Sequence, residues 1–317
     1  MQTTIQDHEA VEDSPLSPDH HKAIPGVRCG AAWPYLQLMR PANVVTATAD
    51  ILAGFAAAGA TSWPALPWLL IATIGLYSGG VVFNDVFDAK LDASERPERP
   101  IPGGRISLRN AALLGAALLT VGIGAAFAAS RLSGVLAILI AACALLYDAW
   151  GKHQSFLGPI NMGLCRGINL LLGVSAVPYM VRERWYLALI PIAYIAAITA
   201  VSRGEVHGGQ RRTGLLALGL LGAVFLGLLC LTAMPEFKLF ALLPFLGLFA
   251  WRVWPPFWHA YLHPQPGPIR GAVKAGVLSL IVLDAALAAG YAGILYGAVV
   301  LALLFAAGSL ARLFAVT

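Results

Sequence analysis

The sequence predicts an all-α, polytopic membrane bundle of nine or ten transmembrane helices. Three observations carry that prediction. Of the 317 residues, 58% are hydrophobic and 12% charged, with a mean hydropathy of +0.74; soluble domains average about 25% charged residues. Apolar segments recur along most of the chain, each long enough to cross about 30 Å of hydrocarbon. Lysine and arginine fall preferentially on alternate connections, the pattern expected of cytoplasmic loops. A soluble enzyme is excluded on these grounds. The net charge of +5 is modest, and no nucleic-acid partner is expected.

Residues 1–33 read as a disordered cytoplasmic tail, and residues 34–317 as a single membrane domain. The tail holds Asp7, Glu9, Glu12, Asp13 and Asp19 with prolines at 15, 18 and 25, too polar to bury a core. It lacks the basic start and apolar centre of a signal peptide. His20-His21 reads as a solvated pair.

Spans are expected near 36–60, 65–87, 109–129, 132–149, 157–180, 185–201, 214–234, 236–254, 271–290 and 292–313. The last two have almost no loop between them, so nine crossings remain an alternative. With the N-terminus inside, sixteen Lys and Arg residues sit on inside loops and helix ends, four on the outside (Arg131, Arg182, Arg184, Lys238), and Arg166 within a span. Loops 88–108, 150–156 and 202–213 then open on the same cytoplasmic face. Trp150, Trp251, Trp254 and Trp258 suit an interfacial belt, and Cys29, Cys143, Cys165 and Cys230 lack metal-ligand spacing. Asp284 in the ninth span is expected to pair with Lys274 or a partner helix.

The second span ends in Asn84-Asp85-Val86-Phe87-Asp88-Ala89-Lys90-Leu91-Asp92. Spacings of three and four place Asn84, Asp85, Asp88 and Asp92 on one helical face. Three carboxylates so close repel unless a cation neutralises them. Hard oxygen ligands suit Mg²⁺, which completes its shell with substrate phosphates. The following loop carries Arg96, Arg99 and Arg105 among stiffening prolines and a Gly pair, and arginines fork onto phosphate oxygens. Metal ligands followed by counter-charge are the parts that a Mg²⁺–diphosphate complex requires. Positive-inside topology would explain the arginines but not the acids.

This run, continued by Arg96-Pro97, Arg99-Pro100 and Gly104-Arg105-Ile106-Ser107, resembles the first aspartate-rich motif of the UbiA superfamily of intramembrane prenyltransferases. Arg40-Pro41 resembles that family's Arg-Pro entry motif. The resemblance covers about residues 35–290. It implies a helical fold around a central cavity, Mg²⁺-dependent ionisation of a prenyl diphosphate, and capture of the allylic cation by a small-molecule acceptor. In that scheme Asn84, Asp85, Asp88 and Asp92 hold Mg²⁺, and Arg99 and Lys152 contact the diphosphate.

The sequence departs from the family pattern at the second motif, which reads Ser202-Arg203-Gly204-Glu205-Val206-His207-Gly208-Gly209. Glu205 is its one acid. Glu205 could hold a second Mg²⁺, Arg203 could replace that metal as counter-charge, or transfer could be lost. His207, a poor Mg²⁺ ligand, could be a general base or a structural residue. Residues 202–209 and 161–169 are similar to a sub-branch called EboC, encoded in a bacterial biosynthetic operon, which implies a secondary-metabolite role.

Leu38-x-Arg40-x-x-Asn43 echoes Leu164-x-Arg166-x-x-Asn169, suggesting two four-helix halves converging on one cavity. Intramembrane polar residues usually face such an interior, so Asn43 and Arg166 are expected to line it, with Asp50 and Asp148. The resulting expectation is a multi-pass, bacterial inner-membrane prenyltransferase acting on an aromatic or polyol-like acceptor, in contact with membrane lipid. The rival is a transporter or lipid-binding protein that uses the same cavity without catalysis.

Overall fold

The computed structural model describes residues 32–60, 63–154 and 156–314, and every regular element among them is helical. The tail reading for residues 1–31, with its His pair and Cys29, lies outside the described residues. The helices are α1 (Trp33–Met39), α2 (Pro41–Ala57), α3 (Ala65–Phe87), α4 (Ala89–Glu95), α5 (Leu108–Ala129), α6 (Arg131–Ala149), α7 (Leu157–Val174), α8 (Pro178–Arg184), α9 (Leu189–Ser202), α10 (Arg211–Cys230), α11 (Leu239–Leu262), α12 (Pro266–Ala292) and α13 (Ile294–Leu313). Nine stretches among the described residues are long and apolar enough to cross a membrane, α8 and α9 counting as one. The 17-residue α2 makes a tenth buried rod beside them.

The expected first span, 36–60, is in fact two helices. Arg40 breaks it with φ 48°, and among the described residues it is the one non-glycine with positive φ. Pro41 explains the position: it cannot donate an N–H and it steers the preceding residue out of the right-handed helix. The expected fifth span, 157–180, ends at Val174, and Pro178 starts the next helix at its first turn. The eighth runs on to Leu262 despite Pro244, Pro255 and Pro256; neighbouring helices in a bundle tolerate such breaks.

Packing follows chain order: α3 on α5, α5 on α6, α6 on α7, α7 on α9, α9 on α10, α10 on α11 and α11 on α12, which returns to α2. The leading helices of the two expected halves, α2 and α7, also pack against each other. Their approach depends on two glycines. A Cβ on Gly54 would strike the Leu170 carbonyl, and one on Gly173 would come within 2.5 Å of the Ile51 carbonyl. Small residues at such crossings let backbones close up where lipid supplies no hydrophobic drive. α13 lies outside, against α12 and α2. Helices α2, α3, α6, α7, α9 and α12 thereby enclose a cavity of about 430 Å³.

Candidate active site

The Asn84–Asp92 run keeps its shared face because the backbone scarcely leaves the helix. Asp88 caps α3 with φ −87° and ψ −1°, its N–H bonds to the Asn84 carbonyl, and the Asp92 N–H bonds to the Asp88 carbonyl as α4 begins. The carboxylates do not converge on one point. Among the described residues no group of three or more His, Cys, Asp and Glu side chains is gathered as a ready metal cage. Each acid is instead held by a base. Asp85 Oδ1 accepts from Arg40 Nη2 (2.7 Å) and Arg99 Nη1 (3.2 Å), Arg99 Nη1 also donates to Asp92 Oδ2 (2.7 Å), and Lys152 Nζ donates to Asp88 Oδ1 (2.5 Å). Arg40 reaches Asp85 from its left-handed position, a conformation that costs a non-glycine residue about 1–2 kcal/mol and sits here at the mouth of the cavity.

Three loops meet at this mouth, as the alternating charge pattern requires. Lys152 brings 150–154 to the end of α3, and Arg203 Nη2 donates to the Lys152 carbonyl (3.2 Å) and to that of Gln154, tying in the loop after α9. Arg96, Arg99, Lys152 and Glu205 all line the cavity. Burial raises the Glu205 carboxyl above its ordinary value of 4.5, opposed in part by Arg96, Arg270 and Arg40. Inside the mouth part of the wall is apolar, with Leu76, Ile140, Ile195, Ile198, Val277 and Leu280.

Deeper still, α2 and α7 share a buried polar network. Arg166 Nε lies 3.1 Å from Asp50 Oδ2, and Arg166 Nη2 donates to the Thr46 carbonyl (3.0 Å). Asn169 Nδ2 donates to Asp50 Oδ2 (2.8 Å) and the Ala47 carbonyl (3.0 Å), and Thr73 Oγ1 donates to Asn169 Oδ1 (2.8 Å). Asp284 of α12 is buried beside Asp50 of α2, so of the two expected alternatives it is a partner helix, and not Lys274, that it meets. Asn43, Arg166 and Asp148 line the cavity as expected, joined by Asn169, whereas Asp50, also expected there, does not line it. The Leu-x-Arg-x-x-Asn echo is therefore not a repeat of local structure: Arg40 is a helix break at the mouth, and Arg166 is mid-helix.

Three residues singled out in the sequence are not brought to the cavity. Arg105 is spent on Gln37 Oε1 and the Glu98 carbonyl, both at 2.6 Å. Arg203 is committed to loop carbonyls, and His207 lies exposed on the loop surface. Spacing could not show this, because loop residues lack a fixed face. Sequence reasoning also passed over Tyr77, whose ring lies 5.6 Å from the Arg166 guanidinium. Its position at 3.5-residue intervals from Asn84 was the available signal.

The donor set fits Mg²⁺. Its ligating atoms are hard oxygens, and two buried carboxylate oxygens on the cavity wall, Glu205 Oε1 and Asp148 Oδ2, have no hydrogen-bond partner among the described residues. Asn84, Asp85, Asp88, Asp92 and Glu205 are the residues that would hold it.

Known proteins share part of the sequence and the fold. A digeranylgeranylglyceryl phosphate synthase of Methanoculleus marisnigri is 32% identical over 200 residues, covering 58% of this chain and 71% of the relative. The apo structure of a UbiA homolog from Aeropyrum pernix K1 superposes with a TM-score of 0.67 at 16% identity, over 77% of this chain and 96% of the other. A UbiA homolog from Archaeoglobus fulgidus bound to GPP and Mg²⁺ superposes with a TM-score of 0.51 at 14% identity, over 85% and 99%. The UbiA prenyltransferase family itself matches residues 44–266. With that match running from α2 through α11, well over half of its length, the chain belongs to the UbiA prenyltransferase family.

Proposed function

We propose that the protein is a Mg²⁺-dependent membrane prenyltransferase that moves a prenyl group from a prenyl diphosphate to a small-molecule acceptor within the helical cavity. The observation that carries this reading is the composition of one cavity wall: paired acids and bases at the mouth, and inside it an apolar surface of Leu76, Ile140, Ile195, Ile198, Val277 and Leu280 facing a polar patch of Arg166 and Asn169. Mg²⁺ and a prenyl diphosphate are the ligands of the Archaeoglobus fulgidus homolog. Bound there, Mg²⁺ would offset the negative charge that builds on a departing diphosphate.

The chain's own residues account for the rest. Arg99 pairs with Asp85 and Asp92, and Lys152 with Asp88. With the acids holding Mg²⁺, Arg99 and Lys152 would be free to contact the diphosphate oxygens, with Arg40 and Arg96 beside them on the cavity wall. Acids and bases alternate at the mouth, so no buried charge there lacks an opposite one. The apolar walls receive the isoprenoid tail and exclude water that would intercept an allylic cation. The acceptor approaches within the same cavity.

The Methanoculleus relative is named for a glyceryl phosphate product, which favours the polyol-like acceptor over the aromatic one. A secondary-metabolite role rests on the EboC-like segments 202–209 and 161–169 alone. The sixteen-to-four Lys/Arg asymmetry supports an inner-membrane protein with its mouth on the cytoplasmic side.

The test is to incubate membranes with radiolabelled geranyl or geranylgeranyl diphosphate, with and without Mg²⁺. Diphosphate release that requires Mg²⁺ and is lost in Asp88→Ala supports transfer. Tight binding of the diphosphate with no release in any condition would favour the transporter or lipid-binding reading.

A further inference from the structure

Asp148 belongs to neither aspartate-rich segment, yet it is 4% exposed and lines the cavity beside the first. It is the penultimate residue of α6. Asn84 Nδ2 donates to its Oδ1 (2.9 Å), while Oδ2 is buried without a hydrogen-bond partner among the described residues. A carboxylate oxygen held from water and left unpaired is costly. Lys152, four residues on, is committed to Asp88. The contact with Asn84 adds a constraint of its own. A carboxylate accepts and does not donate, so the Asn84 amide must present nitrogen to Asp148, and its Oδ1 is left for another partner. Two side chains in direct contact, from α3 and α6, thus each carry a hard oxygen at the cavity wall, where the second loop contributes a single acid.

We propose that Asp148 is a ligand of the divalent cation at this site and supplies, from α6, the carboxylate that the second loop lacks. The inference rests on the reading of the mouth as a metal–diphosphate site. A purely positioning role, in which Asp148 acts through Asn84, differs from it in one respect: it requires an acceptor oxygen but no charge. Asp148→Asn keeps an oxygen for the Asn84 N–H and removes the charge, whereas Asp148→Ala removes both.

The experiment measures Mn²⁺ binding to the purified full-length protein in detergent by electron paramagnetic resonance, with inorganic diphosphate present, so that no turnover is needed. Asp148→Asn and Asp148→Ala should each bind Mn²⁺ at least about tenfold more weakly than wild type, the scale of loss seen when a metal's surroundings are altered. Wild-type affinity in Asp148→Asn overturns the proposal, whether or not Asp148→Ala is impaired. Asp148→Cys guards against loss through misfolding. A thiolate favours softer metals, so this variant should shift preference from Mn²⁺ toward Cd²⁺ relative to wild type, and an unchanged preference also overturns the assignment. Absence of Mn²⁺ binding by the wild type would overturn the parent reading, whereas unaltered variants of a binding wild type overturn the Asp148 role alone.

Discussion

Replacing Asp50 with alanine should destabilise the fold by about 3–5 kcal/mol, the usual consequence of removing one member of a buried ion pair. Asp50 is 0% exposed and Arg166 4%. The carboxylate receives Arg166 Nε at 3.1 Å, Arg166 Nη2 at 3.3 Å and Asn169 Nδ2 at 2.8 Å. Alanine removes the carboxylate that contacts the guanidinium, leaving Asp284 as the remaining acid near it, and leaves the Asn169 amide with one bond fewer. Asp50→Asn keeps the volume and one acceptor oxygen while losing the charge, so it should fall between alanine and wild type. At about 2–4 °C per kcal/mol for a chain of this order of size, Asp50→Ala should lower the apparent melting temperature by roughly 6–20 °C. Tryptophan fluorescence of the detergent-solubilised protein on heating gives the reading, with lipid-facing Val121→Ala as a control that should move little. A melting temperature for Asp50→Ala within the scatter of that control would mean that Arg166 finds water in the cavity and that the network does not hold α2 to α7.

Asp88→Ala should lower prenyl transfer by about 10²-fold or more, the scale of losing one electrostatic stabiliser, while the half-buried site leaves the melting temperature near wild type; normal turnover of the purified variant would remove Asp88 from the metal site. Glu205→Gln should cost more activity than His207→Gln, since Glu205 lines the cavity and His207 does not; a dead His207→Gln beside an unaffected Glu205→Gln would reverse the assignment. Because burial raises the Glu205 carboxyl, Mg²⁺ must displace its proton as the pH falls, so the Mg²⁺ concentration needed for half-maximal activity should rise toward acid pH more steeply in wild type than in Glu205→Gln. The carboxyl's effect on stability has the opposite sign: a raised acid favours the fold below the ordinary value and loses that contribution as pH rises through the raised one. Gly173→Ala should separate α2 from α7 and reduce folded yield on size-exclusion chromatography, whereas Gly219→Ala, with open space around its Cβ position, should not. Single cysteines at Ser107 and Thr213 in a cysteine-free background should resist an impermeant thiol reagent in intact cells and react in inverted vesicles; labelling in intact cells would invert the topology.

Periodicity and charge placement were sufficient for the helical class, for most of the ten segments and for the meeting of three loops at one end. These are properties of local composition, and the bilayer enforces them because every backbone group must be satisfied within a helix. The Asn84–Asp92 face was equally legible, since 3.6-residue geometry persists through Asp88. Helix ends at Val174 and Leu262 were not, because proline tolerance depends on what packs beside it.

The sequence by itself thus determined a membrane helix bundle and a run of acids followed by bases at one mouth. Tertiary structure decided which of those charges meet. Arg99 was available to any of three acids, and the loop's path gives it Asp85 and Asp92; Lys152 takes Asp88 across 64 residues. Arg105, Arg203 and His207 carry the same chemistry as residues at the cavity but point to loop carbonyls or solvent. Asp284, for which the sequence offered Lys274 or a partner helix, lies beside Asp50 because α12 packs onto α2. Coulomb energy depends on separation in space, and spacing along the chain sets that separation within a helix but not between helices or along a loop.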